Sequence, residues 1–173
     1  VYTKAELKAL HDCCREHDLY LYADGARLGT ALTWPGNDVT LKDMADLTDA
    51  FYIGGTKLGA LFGEALIIMD DKINDHFRYM VKRACALLAK GRLIAVQLKA
   101  LLEGGEDSLY YQLARHENQL AIKLANEVGA DAIFGTDPDC DRLGVAVRDK
   151  EGKFQLLTGN QIGCVLLHYI LSS

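Results

Sequence analysis

The sequence runs to 173 residues, 50% apolar and 25% charged, with a formal net charge of −5. That balance suits a soluble globular chain of one domain or slightly more, and it argues against nucleic acid or an acidic membrane as the main partner. No apolar run approaches the length of a membrane span.

The opening VYTKAEL lacks an initiator Met, which reads either as a fragment or as a start removed by processing or design. Five cysteines (Cys13, Cys14, Cys85, Cys140 and Cys164) are odd in number and form no CxxC pair. A disulfide framework or zinc ribbon is therefore not expected, and free thiols in a cytoplasmic protein are. Cys13 and Cys14 are expected as core and boundary packing in a helix.

In chain order, TKAELKALHDCCREHD (3–18) begins with Thr3 three residues before Glu6, the pattern of a capped helix start. LYLYADG (19–25) reads as a short buried strand ending in a turn. TLKDMADLTD (40–49) reads as a short helix or turn, AFYIGG (50–55) as a second strand and GEALIIMD (63–70) as a third. That rhythm implies an α/β layer. From Asp71 to Gly105 the pattern is one long helix with Gly91 its only interior breaker, and 107–129 is a second helix capped at Gly129. His116, Glu117 and Asn118 on it read as a solvated face. ADAIFG is a strand running into an acidic loop, LGVAVRD and FQLL form a hairpin around KEGK, and TGNQIGCVLLHYIL (158–171) is a helix opening at a Thr cap.

Two constellations carry chemistry. The first is YADGARLGTAL with YIGGTKLGALFG: Asp24 and Lys57 follow successive strands, among Gly25, Gly54, Gly55 and Gly59. Ligands of open α/β sheets bind where strands deliver their carboxyl ends. A carboxylate and a lysine there suit pyridoxal phosphate, with the lysine as Schiff-base partner and the aspartate paired to the protonated pyridine nitrogen. Taken singly, an Asp-Gly after a strand is also a turn and a lysine among glycines a solvated loop.

LYLYADGARLGTAL, YIGGTKLGALFGEALII and HFRYMVKRACALLAKGRLIAVQLKALLEGG, in that order, resemble the later part of the large domain of the low-specificity threonine aldolases. These are fold-type-I pyridoxal phosphate enzymes related to the β-eliminating lyases. The resemblance covers residues 1–124. It implies Lys57 as the catalytic Schiff-base lysine, Asp24 as the pyridine partner and Arg27 as a cofactor- and substrate-facing arginine. The implied reaction cleaves a β-hydroxy amino acid to glycine and an aldehyde. Self-association is implied as well, since fold-type-I enzymes build their sites across a dimer interface. The family's phosphate-gripping loop, ring-stacking aromatic and small C-terminal domain have no counterpart in this sequence.

The second constellation is GTDPDCDRLGVAVRD (135–149), where Asp137, Asp139 and Asp141 alternate along a loop before Arg142. Three carboxylates turned to one point are hard oxygen ligands suited to magnesium, and a metal loop is preferred here to the alternative of a solvated acidic turn. With LLTGNQIGCVLLHYIL behind it, the segment resembles the metal-binding part of the phosphoglucomutase and phosphomannomutase family, over residues 125–173. That resemblance implies Asp137, Asp139 and Asp141 as magnesium ligands and a hexose phosphate as substrate. The family's phosphoserine loop is absent from this sequence.

The expected fold is thus α/β: a partial fold-type-I pyridoxal phosphate domain with long helices (1–124), then a partial α/β phosphohexomutase segment (125–173), joined within 120–130. Three functions follow: pyridoxal-phosphate-dependent aldol cleavage, a magnesium-dependent phosphohexomutase, or a non-catalytic scaffold or chimera in which neither site is complete.

Overall fold

The computed structural model describes residues 2–136, 140 and 142–172. The chain divides into two compact units, Thr3–Arg115 and a second comprising mainly the chain from His116 onward; the division falls inside a helix.

In the first unit, α1 (Lys4–Glu16) starts as its sequence dictates. The Thr3 hydroxyl accepts from the Glu6 amide at 3.3 Å while Glu6 accepts from the Thr3 amide at 2.8 Å, satisfying two donors that a helix start leaves open. β1 (Tyr22–Ala23) is followed by α2 (Leu28–Leu32), α3 (Leu41–Leu47), β2 (Ala50–Gly54) and β3 (Glu64–Ile68). The sheet order is β1-β2-β3, with β1 parallel to β2 and β3 antiparallel to it.

Asp49 sets the two parallel strands side by side. Its carboxylate accepts from Arg15 at 2.5 Å and from the Leu21 amide at 2.6 Å, and its own amide donates to the Leu21 carbonyl at 2.9 Å. Leu21 leads into β1 and Asp49 into β2, so one carboxylate fixes where the two strands begin. β2 is the central strand, and Phe51 and Ile53 on it are buried with Leu7, Leu28, Val39, Met44, Leu58, Leu101 and Tyr110. Full burial of a Phe or Ile side chain contributes roughly 1.5–3 kcal/mol.

The first strand is shorter than the span 19–25 expected for it, and it is not buried. Leu19, Tyr20 and Tyr22 are exposed, and only Tyr22 and Ala23 pair with β2. The long helix expected over 71–105 is also corrected: it is α4 (Asp71–Asn74), α5 (Phe77–Arg83) and α6 (Arg92–Leu102), with a short 3₁₀ turn at Gly105–Asp107. His76 and Cys85 adopt left-handed backbone, φ 56° and 57°, which a right-handed helix cannot continue through. Gly91 does mark a boundary, at the start of α6.

α7 (Leu109–Glu127) carries the chain into the second unit. It ends at Gly129, φ 66°, where the Gly129 and Ala130 amides return to the Asn126 and Ala125 carbonyls. β4 (Ala132–Thr136), β5 (Leu143–Arg148) and β6 (Phe154–Leu157) form an antiparallel meander. The Asp149 carboxylate closes the β5–β6 turn by accepting from the Glu151 and Lys153 amides at 2.9 and 2.8 Å. α8 (Gly159–Ser172) opens where the Thr158 amide donates to Gln161 at 2.8 Å and the Gln161 amide returns to the Thr158 hydroxyl at 3.3 Å. No helix among the described residues is long and apolar enough to cross a membrane.

The expected packing of the cysteine pair holds in part: Cys14 is half-buried, but Cys13 is exposed. On α7, His116 and Glu117 are exposed as expected of a solvated face, whereas Asn118 is buried.

Candidate functional site

β1 and β2 run parallel and adjacent, so their carboxyl ends open on the same edge of the sheet. Asp24 is the first residue beyond β1, and Lys57 is the third beyond β2. Arg27 stands immediately before α2. Asp24 is exposed; Arg27 and Lys57 are half-buried.

The two strand ends are clipped together. The Gly54 amide donates to the Gly25 carbonyl at 3.0 Å. A Cβ on Gly25 would fall 1.6 Å from the Tyr52 carbonyl oxygen, and one on Gly54 would fall 2.3 Å from that of Ala26. Both positions lie below any tolerable contact, so the close approach requires glycine at each. Beyond Gly54, the Leu58 and Ala60 amides both return to the Gly55 carbonyl at 2.9 Å, and Gly59 turns at φ 97°. That tight turn presents Lys57. It is held from outside by Gln97 on α6, which accepts from the Leu61 amide at 3.1 Å and donates to the Phe62 carbonyl.

Two tyrosines complete the arrangement, and sequence reasoning missed both. The Tyr110 hydroxyl, on α7, accepts from the Gly29 amide at 3.0 Å and donates to the Gly54 carbonyl at 3.0 Å. It ties the first turn of α2 to the end of β2, and burial pushes its pKa up to about 12. Gly29 makes room for it: a Cβ there would lie 2.5 Å from the tyrosine ring. The Tyr52 hydroxyl donates to Asp24 Oδ1 at 2.5 Å, and the Ala26 amide donates to the same oxygen at 3.1 Å. Burial first, then the Asp24 hydrogen bond and charge, raise the Tyr52 phenol above its ordinary range. Tyr22 stacks on Tyr52, ring centroids 6.3 Å apart. Neither has a signal in the sequence: Tyr52 lies 28 residues from Asp24, and Tyr110 lies 81 and 56 residues from Gly29 and Gly54.

The three other expected site residues, Asp137, Asp139 and Asp141, lie outside the described residues. They fall in sequence between β4 and β5, whose ends pair Thr136 with Leu143. Next to them Cys140 is exposed, with its Sγ 3.5 Å from the Thr136 hydroxyl. Among the described residues, no group of three or more His, Cys, Asp or Glu side chains is placed to hold a metal ion.

The architecture is mixed α/β, with a carboxylate and a lysine delivered to one sheet edge, the place where open α/β sheets bind their ligands. The beta-eliminating lyase family model matches residues 1–141, and the chain belongs to that family. The chain is 30% identical over 167 residues to a low specificity L-threonine aldolase from a Pseudomonas species, a match covering 92% of this chain and 48% of that protein. Among solved structures, it resembles a Leishmania major threonine aldolase with a TM-score of 0.69 and 37% identity, over 90% of this chain and 50% of that one. The chain thus spans about half the length of these relatives. A 49-residue stretch, 28% of the chain, is 55% identical to a phosphoglucomutase of Staphylococcus epidermidis and covers 9% of that protein. The lyase family match runs past residue 124 and into the acidic segment, as far as residue 141.

Proposed function

We propose that this chain supplies the lysine- and aspartate-bearing part of a pyridoxal-phosphate-dependent lyase that cleaves a threonine-type β-hydroxy amino acid to glycine and an aldehyde. The observation that carries the reading is the shared sheet edge: Asp24 and Lys57 end neighbouring parallel strands, clipped by Gly25 and Gly54. The donor set fits the cofactor. A carboxylate already oriented by two donors suits a protonated ring nitrogen, and a primary amine on the adjacent strand end suits an aldehyde carbon. When bound, the cofactor supplies an electron sink for bond cleavage at the substrate's α-carbon.

The chain's own residues have distinct tasks. Asp24 holds negative charge at the ring nitrogen, Lys57 anchors the cofactor, and Arg27 offers a guanidinium to an anionic oxygen of cofactor or substrate. The same reading carries self-association, since such sites are shared between subunits, and five free cysteines accord with a cytoplasmic setting.

The test is to incubate the protein with pyridoxal phosphate, reduce with borohydride and map the modified lysine by mass spectrometry. Selective labelling of Lys57, lost in Asp24→Asn, supports the reading. Label spread over surface lysines, or none, sinks it.

A second reading is favoured by the 49-residue match at 55% identity: residues 125–173 as a magnesium-binding segment of phosphohexomutase type, with Asp137, Asp139 and Asp141 as ligands. A magnesium-dependent rise in the melting temperature, abolished by Asp139→Ala, supports it. A melting temperature indifferent to magnesium rules it out.

A further inference from the structure

We propose that Tyr52 is a positioning residue for Asp24: its hydroxyl fixes the carboxylate in the orientation that receives the cofactor's ring nitrogen. The inference rests on the pyridoxal phosphate reading and deepens it by one residue.

Geometry carries the argument. The ladder pairs Tyr22 with Ala50 and Ala23 with Phe51, so the next step sets Asp24 beside Tyr52, past the end of β1. The carboxylate there no longer has the strand to hold it. Two donors converge on Oδ1 instead, the Ala26 amide at 3.1 Å and the Tyr52 hydroxyl at 2.5 Å. The first comes from the carboxylate's own turn and moves with it. The second comes from the central strand, whose neighbouring residues Phe51 and Ile53 are buried in the core. Tyr52 is therefore a link between the Asp24 carboxylate and the central strand of the sheet. Its own ring is steadied by Tyr22 at 6.3 Å.

Charge points the same way. A short hydrogen bond to a carboxylate favours the ionised acid, which is the form that pairs with a protonated ring nitrogen. Burial and Asp24 keep the Tyr52 phenol protonated, so it remains a donor throughout the neutral range. A phenylalanine would fill the same space against Tyr22 and remove only the donor.

The experiment compares wild type, Tyr52→Phe, Asp24→Asn and the double variant, each checked for an unchanged melting temperature and titrated with pyridoxal phosphate by its visible absorbance. Loss of a hydrogen bond to a charged group predicts an affinity about tenfold weaker in Tyr52→Phe. It also predicts a shifted pH midpoint of the absorbance band, with Lys57 still the labelled lysine. If Tyr52 acts through Asp24, the double variant is no weaker than Asp24→Asn alone. In the cofactor-free protein, a spectrophotometric tyrosine titration should show the Tyr52 phenol ionising at lower pH in Asp24→Asn. Wild-type affinity and pH midpoint in Tyr52→Phe, or losses that simply add in the double variant, overturn the inference while leaving the proposed function standing. Failure of the wild type to label Lys57 overturns both.

Discussion

The Gly25 carbonyl accepts the Gly54 amide at 3.0 Å, and around that bond neither residue has space for a Cβ. The turn bearing Asp24 and the strand end leading to Lys57 are thereby locked at van der Waals limits, backbone against backbone. A side chain can swing away from an intruding methyl group; these atoms cannot.

Gly25→Ala and Gly54→Ala are each expected to destabilise the protein by about 1–3 kcal/mol or more, as overpacking against fixed atoms does. Gly25→Ala should be the worse, because its added carbon would lie 1.6 Å from a carbonyl oxygen against 2.3 Å for Gly54→Ala. Urea unfolding midpoints check the order. As a control, Gly135→Ala meets nothing within 4 Å and should leave the midpoint nearly unchanged.

Tyr110→Phe leaves the ring in place and removes a hydroxyl that serves both the Gly29 amide and the Gly54 carbonyl. Stranding buried polar groups costs about 1–3 kcal/mol. The expected result is a lower unfolding midpoint at an unchanged denaturant slope. A variant as stable as wild type would mean that the two backbone groups find other partners.

Acid stability should follow Asp43 and Asp49. Hydrogen bonding by Lys4, then by the Thr40 hydroxyl and amide, holds the Asp43 carboxyl far below its ordinary value. At Asp49, burial pushes upward, but the Arg15 pair and the Leu21 amide outweigh it and the net shift is downward. A carboxyl with a depressed folded-state pKa contributes stability that is present above its unfolded value of about 3.9 and fades as pH falls below it. The unfolding midpoint should therefore drop as pH falls below about 4, and Asp43→Asn should flatten that acid limb. A midpoint independent of pH between 5 and 2, on the order of the window set by these carboxyls, contradicts the assignment.

Arg148 is the staple of the second unit. Its guanidinium donates to the Ala130 carbonyl, the Asn126 side chain and the Gly152 carbonyl, each at 3.0 Å, and lies 4.4 Å over the Phe154 ring. It joins the end of α7 to both strands of the hairpin. Lysine keeps the charge but not the planar fork, so Arg148→Lys should cost about 1–2 kcal/mol by thermal or chemical unfolding. Equal stability in the lysine variant would show that charge alone suffices.

Local sequence determined what local chemistry governs. The Thr3 and Gly129 caps, the strands over 50–54 and 64–68, the β5–β6 hairpin and the opening of α8 at Thr158 all follow from patterns a few residues long. So did the choice of Asp24 and Lys57 as residues standing after strands. Residues 71–105 show the limit. His76 and Cys85 break the helix in left-handed backbone; Asn74, Asp75 and His76 are weak helix formers that tolerate such a break, whereas the residues around Cys85 give no comparable signal.

Only the tertiary structure decided which strand ends meet. Parallel pairing of β1 with β2 depends on Asp49 reaching Leu21 and Arg15 across 28 and 34 residues, and no window of sequence contains that bond. Tyr110 reaches Gly29 and Gly54 across 81 and 56 residues, and Tyr52 reaches Asp24 across 28. Short-range order is written in residue type because its partners are neighbours in the chain. The supporting shell of the candidate site is assembled from partners made neighbours by folding, and it becomes visible only once the sheet is closed.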